Sequence, residues 1–222
     1  QSLLGDGMEL SHQDRIDIKC GDALVGPGFS DAWEDCDEGV RAEDGKFNWQ
    51  VQFPEAMKSG GFDAVIGNPP YVRQEVLSQS EGLKGYLKDH YQVYHGAADL
   101  YSYFIERGVS LLKPGGVLSY VTANKWMRAS YGLPLRRWMK GLRVLEVVDF
   151  GDLPIFKKAS AYPCILTISK EPPGLKPRLR ASKVRGSYVT KPSSSEEMSG
   201  YSCDKLSRCY CEEFGKCSYE VD

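Results

Sequence analysis

Hydrophobic and polar residues alternate over Arg15-Ile16-Asp17-Ile18-Lys19-Cys20, the pattern of a strand with one buried face, and Gly21-Asp22 ends it. Residues 26–61 are acidic, Gly-rich and without a clear period. They read as a long surface excursion carrying Trp33, Phe47, Trp49 and Phe53. A short apolar run, Phe62-Asp63-Ala64-Val65-Ile66, predicts a buried strand stopped by Gly67-Asn68-Pro69-Pro70, because proline cannot donate to a ladder. Residues 72–98 read as a polar loop with some helix. From Asp99 the spacing turns helical through Leu100, Phe104, Val109, Leu111 and Leu112, with Asp99 as N-cap and Lys113-Pro114-Gly115-Gly116 as the stop. Strands are predicted at Val117–Thr122, Val144–Phe150 and Cys164–Ile168. A helix at 124–140 must kink or split at Pro134. Strands alternating with helices argue an α/β domain with a mainly parallel sheet. After Lys170, Pro172, Pro173, Pro177 and Ser193-Ser194-Ser195 suggest a linker.

Composition narrows the class. With 41% hydrophobic and 26% charged residues, the 222-residue chain can bury the core of one domain, and it is neither a disordered nor a collagen-like sequence. No stretch approaches the roughly 20 apolar residues of a membrane span, and no signal peptide is visible. The seven cysteines are odd in number, so reduced thiols in a cytoplasmic protein are the expectation. Cys203, Cys209, Cys211 and Cys217 lack the close pairs of a structural zinc site, so no metal is assigned. Charge is uneven. Residues 1–70 hold 5 Lys+Arg against 14 Asp+Glu, whereas residues 71–195 hold 20 against 9, which points to a polyanion-binding surface or a solvated basic face on the middle section.

The chemistry concentrates in Asn68-Pro69-Pro70-Tyr71, a loop at the carboxyl end of a strand, where open α/β sheets place ligands. Asn68 offers a side-chain carbonyl, Pro69 a backbone carbonyl with no N–H beside it, and Tyr71 a flat ring. Two acceptors suit an amino group. This loop, with Phe53-Pro54, Gly60-Gly61-Phe62-Asp63, Val72-Arg73-Gln74-Glu75, Asp99-Leu100-Tyr101-Ser102-Tyr103-Phe104, Leu112-Lys113-Pro114-Gly115-Gly116 and Asn124-Lys125-Trp126, resembles the gamma-group adenine-N6 DNA methyltransferases. The likeness is strongest to the methylase portions of single-chain restriction–modification enzymes and covers residues ~15–170.

The resemblance implies a class I Rossmann-like fold, S-adenosylmethionine as cofactor and double-stranded DNA as partner. It implies that the target adenine is flipped out, at a cost of a few kcal/mol, and that its amine is held by Asn68 and Pro69. No strong base is needed, and His12, His90 and His95 sit in no catalytic setting. Tyr71 is expected to stack on one face of the base and Phe156 on the other, with Tyr162 as the runner-up. Asp22 matches the acceptor for the cofactor's adenine amine, and Asn68 also borders the cofactor. Asp99 and Tyr103 either line this pocket or serve as a cap and a core ring. Arg128, Arg136, Arg137, Lys157 and Lys158 are the candidate phosphate contacts.

Two expected features do not occur in the chain: a Gly-rich loop after the first strand and an acidic residue for the ribose. In the gamma order both precede residue 15. The expectation is therefore a partial catalytic domain at 1–170, with the acidic insertion at 26–61, inactive by itself. Residues 171–222 would be a linker and the start of a target-recognition region, or an irregular tail. A nuclease on the same full-length chain stays open. So do two other readings: an amino-methyltransferase acting on protein glutamine or RNA, and a non-catalytic DNA-binding remnant.

Overall fold

A computed structural model describes residues 16–26, 47–72, 81–153, 155–156, 162–174 and 179–184. The chain divides into two compact units, residues 1–48 and 49–222. In the first, among the described residues, 16–19 lie in no strand, Cys20 makes a single bridge, and Ile16 and Ile18 are exposed, so the strand expected at 15–20 is not formed over 16–19 and Arg15 lies outside the described residues. Alternation alone does not make a strand; a partner backbone must satisfy it. Cys20 is disulfide-bonded, against the expectation of reduced thiols, whereas Cys164 of the second unit is a buried free thiol.

The second unit opens with two short helices, α1 (Trp49–Gln52) and α2 (Pro54–Lys58). Sequence patterning predicts only an excursion here. The missing signal is an aromatic cluster, with Trp49 and Phe53 stacked at 5.7 Å and Phe53 edge-on to Phe62 at 5.5 Å. Residues 27–46 of that excursion lie outside the described residues.

Five strands form one sheet: β1 (Phe62–Gly67), β2 (Leu112–Ala123), β3 (Arg143–Asp149), β4 (Pro163–Ser169) and β5 (Arg180–Lys183), in the order β1-β2-β4-β3-β5. The pairs β1·β2 and β3·β5 are parallel; β4 runs antiparallel to both β2 and β3. The sheet is thus mixed rather than mainly parallel. The reason is local: Phe150 N–H donates to Pro163 O, so the first residue after β3 already faces the first residue of β4, and the chain must return in the opposite direction. β5 falls in the stretch read as linker. Four residues with few apolar side chains carry too weak a pattern to be seen without their partner strand.

Three more helices pack around the sheet: α3 (Glu81–His90), α4 (Tyr101–Ser110) and α5 (Leu133–Met139), with 3₁₀ turns at Asn124–Met127 and Ser130–Gly132 before α5. Pro134 divides the predicted 124–140 helix as expected and stands in the first turn of α5, where its missing N–H is harmless. Asp99 is not the cap of α4; that position is Leu100, and the Asp99 carboxylate is engaged elsewhere. Lys113–Gly116 lies inside β2 as an irregularity of its pairing with β1 rather than before it.

Helix α4 lies close on β2. A Cβ on Gly108 would meet Leu118 Cδ1 at 2.5 Å and Tyr120 Oη at 2.7 Å, so glycine allows this approach without those side-chain ends having to shift. Ile105, Leu112, Leu118, Leu166, Ile168 and Val147 fill the core, each worth about 1.5–3 kcal/mol when fully buried. Among the described residues no helix is long and apolar enough to cross a membrane.

Candidate functional site

Because β4 opposes both β2 and β3, while β1 is parallel to β2, the carboxyl ends of β1, β2 and β3 share one end of the sheet. The loops that follow them gather the candidate chemistry.

The first loop is Asn68–Tyr71. Asn68 is exposed, Pro69 buried, Pro70 exposed and Tyr71 half-buried. The prolines end β1 because they cannot donate to it. Leu100 N–H donates to Val72 O at 3.1 Å and ties the loop to the start of α4. The Tyr71 hydroxyl points inward and has no hydrogen-bond partner among the described residues, and its ring lies 6.5 Å from that of Tyr101. Burial, with the nearby Cys164, raises the Tyr71 pKa to about 12, so the ring is neutral at working pH. The arrangement is a half-buried ring beside an exposed Asn68 and a buried Pro69.

Behind Tyr71 lies a chain of hydroxyls. Tyr131 donates to Asp99 Oδ2 at 3.0 Å, which leaves Tyr101 to donate to Tyr131 Oη at 3.2 Å. Burial raises the Tyr101 pKa strongly and that of Tyr131 to about 12. Asp99 thus belongs near the loop, as one of the two sequence readings had it. Tyr103 does not: it is 2% exposed, packs edge-on to Tyr91 at 5.5 Å and donates to His95 O, the arrangement of a core ring.

After β2, Asn124 Nδ2 donates to Asp149 Oδ1 at 2.8 Å, and Gly151 N–H donates to the same oxygen at 3.0 Å. Asp149 closes β3 at 2% exposure. These two residues, with Lys125, Met127, Arg128 and Ala129, line a pocket of about 230 Å³. Sequence reasoning passed over Asp149, Tyr101 and Tyr131. For Asp149 a signal existed, a carboxylate ending an apolar run; for the tyrosines there was none, since aromatic residues in a helix usually mean core.

The basic residues separate. Arg128 and Arg137 are exposed. Arg136 is 7% exposed, and its guanidinium donates to Trp126 O at 2.6 Å and Ala129 O at 3.0 Å. It is a structural clamp, so it leaves the set of phosphate contacts. Lys157 and Lys158 lie outside the described residues. Phe156 is half-buried in the loop after β3; Tyr162 is 47% exposed, and its carbonyl accepts from Asn124 N–H at 2.7 Å.

In the first unit, Asp22 Oδ1 accepts from Leu24 N–H at 2.8 Å and Val25 N–H at 3.3 Å. The turn role is therefore real. A carboxylate has about four acceptor positions, so it is compatible with a second partner. Among the described residues no cluster of His, Cys, Asp and Glu could hold a metal, and the Cys-rich tail lies outside them.

Comparison with known proteins gives this geometry a family. Over 124 residues, 55% of this chain and 21% of the relative, it is 41% identical to the Type II methyltransferase M.PaeR7I of Pseudomonas aeruginosa. Over 112 residues, 50% of this chain and 11% of the relative, it is 33% identical to the Type II restriction enzyme and methyltransferase RM.Eco57I of Escherichia coli. The type I restriction-modification system methyltransferase subunit from Streptococcus thermophilus is similar at 17% identity and a TM-score of 0.44, over 64% of this chain and 31% of that one. The chain therefore spans a quarter or less of these curated relatives. A family model, Eco57I restriction-modification methylase, matches residues 22–156, more than half of the chain and the whole of the Asn68–Tyr71 loop with its supports. The fold is α/β with a mixed sheet, and the chain belongs to the Eco57I restriction-modification methylase family.

Proposed function

We propose that this chain carries the target-base site of a DNA methyltransferase that moves a methyl group from S-adenosylmethionine to N6 of a flipped-out adenine in duplex DNA. The observation that carries the reading is the Asn68–Tyr71 loop: an exposed Asn68 next to a proline carbonyl, at the carboxyl end of β1, with Tyr71 anchored beside them. Asn68 Oδ1 and Pro69 O accept hydrogen bonds from the two hydrogens of the exocyclic amine. They draw its lone pair out of conjugation with the ring and orient it for attack. Tyr71 supplies one stacking face, worth about 1–3 kcal/mol, and Phe156 the other. Orientation and electrostatics then supply most of the rate, with no side chain acting as a strong base.

The residues present fit part of the cofactor: in the second unit the Asn68 and Pro69 carbonyls are acceptors that suit a cationic sulfur, and Ile66 beside them is 81% exposed and offers apolar surface. In the first unit Asp22 is an acceptor for an adenine amine. When bound, S-adenosylmethionine supplies an electrophilic methyl group on a cationic sulfur. Exposed Arg128 and Arg137, with Lys157 and Lys158, would meet phosphates. The names of the relatives, restriction-modification methyltransferases, support DNA as the substrate.

The test is Asn68→Ala in this chain joined to the cofactor-binding segment of the family, with unmethylated phage DNA and mass spectrometry of the digested nucleosides. Loss of N6-methyladenine by ~10²–10³ is expected. Retention of more than about half the rate overturns the assignment. Methyl transfer to RNA or to protein glutamine, with none to DNA, would move the substrate class.

A further inference from the structure

The hydroxyl chain behind Tyr71 reaches further than its members' positions in sequence suggest. Tyr131 stands in the 3₁₀ turn Ser130–Gly132 after β2, whereas Asp99 and Tyr101 stand at the entrance to α4. Two hydrogen bonds, Tyr101 Oη to Tyr131 Oη at 3.2 Å and Tyr131 Oη to Asp99 Oδ2 at 3.0 Å, tie these elements together. On the Asn68–Tyr71 side, two contacts lead back to the same entrance: Leu100 N–H on Val72 O, and the Tyr71 ring on Tyr101.

The turn that carries Tyr131 is itself fixed. Arg136, which follows it, holds the carbonyls of Trp126 and Ala129, which precede it. Gly132 passes so close to Trp126 that a Cβ there would lie 2.0 Å from its carbonyl oxygen. A turn held this tightly is poorly suited to move and well suited to hold. The two hydrogen bonds are part-buried and Tyr101 is fully so; a hydroxyl withdrawn from water without a partner costs about 1–3 kcal/mol, so the pairings are directional restraints and not incidental contacts.

We propose that Tyr131, acting through Tyr101 and Asp99, is a positioning residue that sets the orientation of the Tyr71 ring for the target base. It touches neither base nor cofactor. Its effect is on geometry: Tyr101 is the surface against which Tyr71 leans, and Tyr131 fixes where the Tyr101 hydroxyl end lies. This inference rests on the Asn68–Tyr71 loop being the target-base site.

The test uses this chain joined to the cofactor-binding segment of the family, with S-adenosylmethionine and unmethylated phage DNA, reading kcat and the KM for DNA separately. Tyr131→Phe keeps the ring and removes both hydrogen bonds. A fall in kcat of about tenfold or more is expected, since small misplacements of reacting groups can cost 10²-fold, with KM for DNA within about twofold. Tyr101→Phe should do the same, and the double variant should be no slower than Tyr131→Phe alone, because both act along one chain. Asp99→Asn, whose side-chain oxygen still accepts from Tyr131, should recover most of the rate that Asp99→Ala loses. An unchanged kcat in Tyr131→Phe, additive losses in the double variant, or a loss that follows a lowered melting temperature each overturns the proposal. Asn68→Ala, measured alongside, separates the two readings. Its loss beside an active Tyr131→Phe overturns the positioning role alone, and an active Asn68→Ala overturns the site itself.

Discussion

Arg136 donates to the carbonyl oxygen of Trp126 at 2.6 Å, ten residues earlier in the chain, and the bond is buried. A second bond from the same nitrogen reaches Ala129 O at 3.0 Å. The guanidinium thus ties these two carbonyls together at the root of the turn that bears Tyr131, where Ala129 O also accepts from Gly132 N–H at 3.1 Å.

Arg136 and Arg137 are adjacent, yet they should behave oppositely. Arg136→Ala removes one donor from each carbonyl, Ala129 O keeping Gly132 N–H at 3.1 Å, and is expected to destabilise the fold by about 1–3 kcal/mol. Arg137→Ala, at an exposed position, should stay within about 0.5 kcal/mol of the parent. Urea unfolding reads both. In DNA binding the order reverses. Arg137→Ala should weaken all duplexes alike and flatten the salt dependence by ~1 unit, and an unchanged slope would place it away from the phosphates.

Gly132→Ala drives a methyl group into the Trp126 carbonyl. A loss of about 1–3 kcal/mol is expected from the strain, read by thermal unfolding. A neutral result would mean that the turn yields easily, which would also weaken the positioning role given to Tyr131.

Glu106, buried on α4, accepts from Gln92 N–H at 3.1 Å and Val93 N–H at 2.9 Å through its two carboxylate oxygens. Glu106→Ala should cost about 1–3 kcal/mol, because two amides lose their acceptor, while Glu106→Gln keeps one acceptor and should fall between. Hydrogen exchange at Gln92 and Val93 should accelerate in both variants, and more in the alanine one. Unchanged protection would show that these amides have another acceptor.

Burial holds Tyr71, Tyr91, Tyr103, Tyr120 and Tyr131 protonated up to about pH 12, against about 10 in an unfolded chain. Between pH ~10 and ~12 the unfolded chain therefore sheds protons that the folded one keeps, and stability falls as pH rises through that window. Below pH ~9 these groups should leave stability flat. Urea midpoints at pH 9 and 11 check the sign; a midpoint that rose at pH 11 would contradict it. Cys164, raised to about 12 by burial, should stay unreactive to thiol reagents until the protein unfolds.

What the sequence determined by itself is local. Two prolines after Ile66-Gly67 had to end β1, because neither carries an N–H to extend the ladder. Asn68 and Tyr71 could therefore be placed at a strand's carboxyl end without any structure. Pro134 had to open a helix or break one, for the same reason. Tertiary structure alone decided the rest. Adjacent arginines with the same charge were indistinguishable until the packing of α5 against the turns before it buried one and exposed the other. The direction of β4 was set by its antiparallel pairing with β2 and β3, beginning beside Phe150 and Pro163, which no periodicity encodes. Tyr131 and Asp99 are 32 residues apart and became partners only because the sheet order brings the loop after β2 beside the entrance to α4. Backbone rules act between neighbours in the chain; a buried side chain's partner is set by which elements the whole fold brings together, and that is where the supports of this site lie.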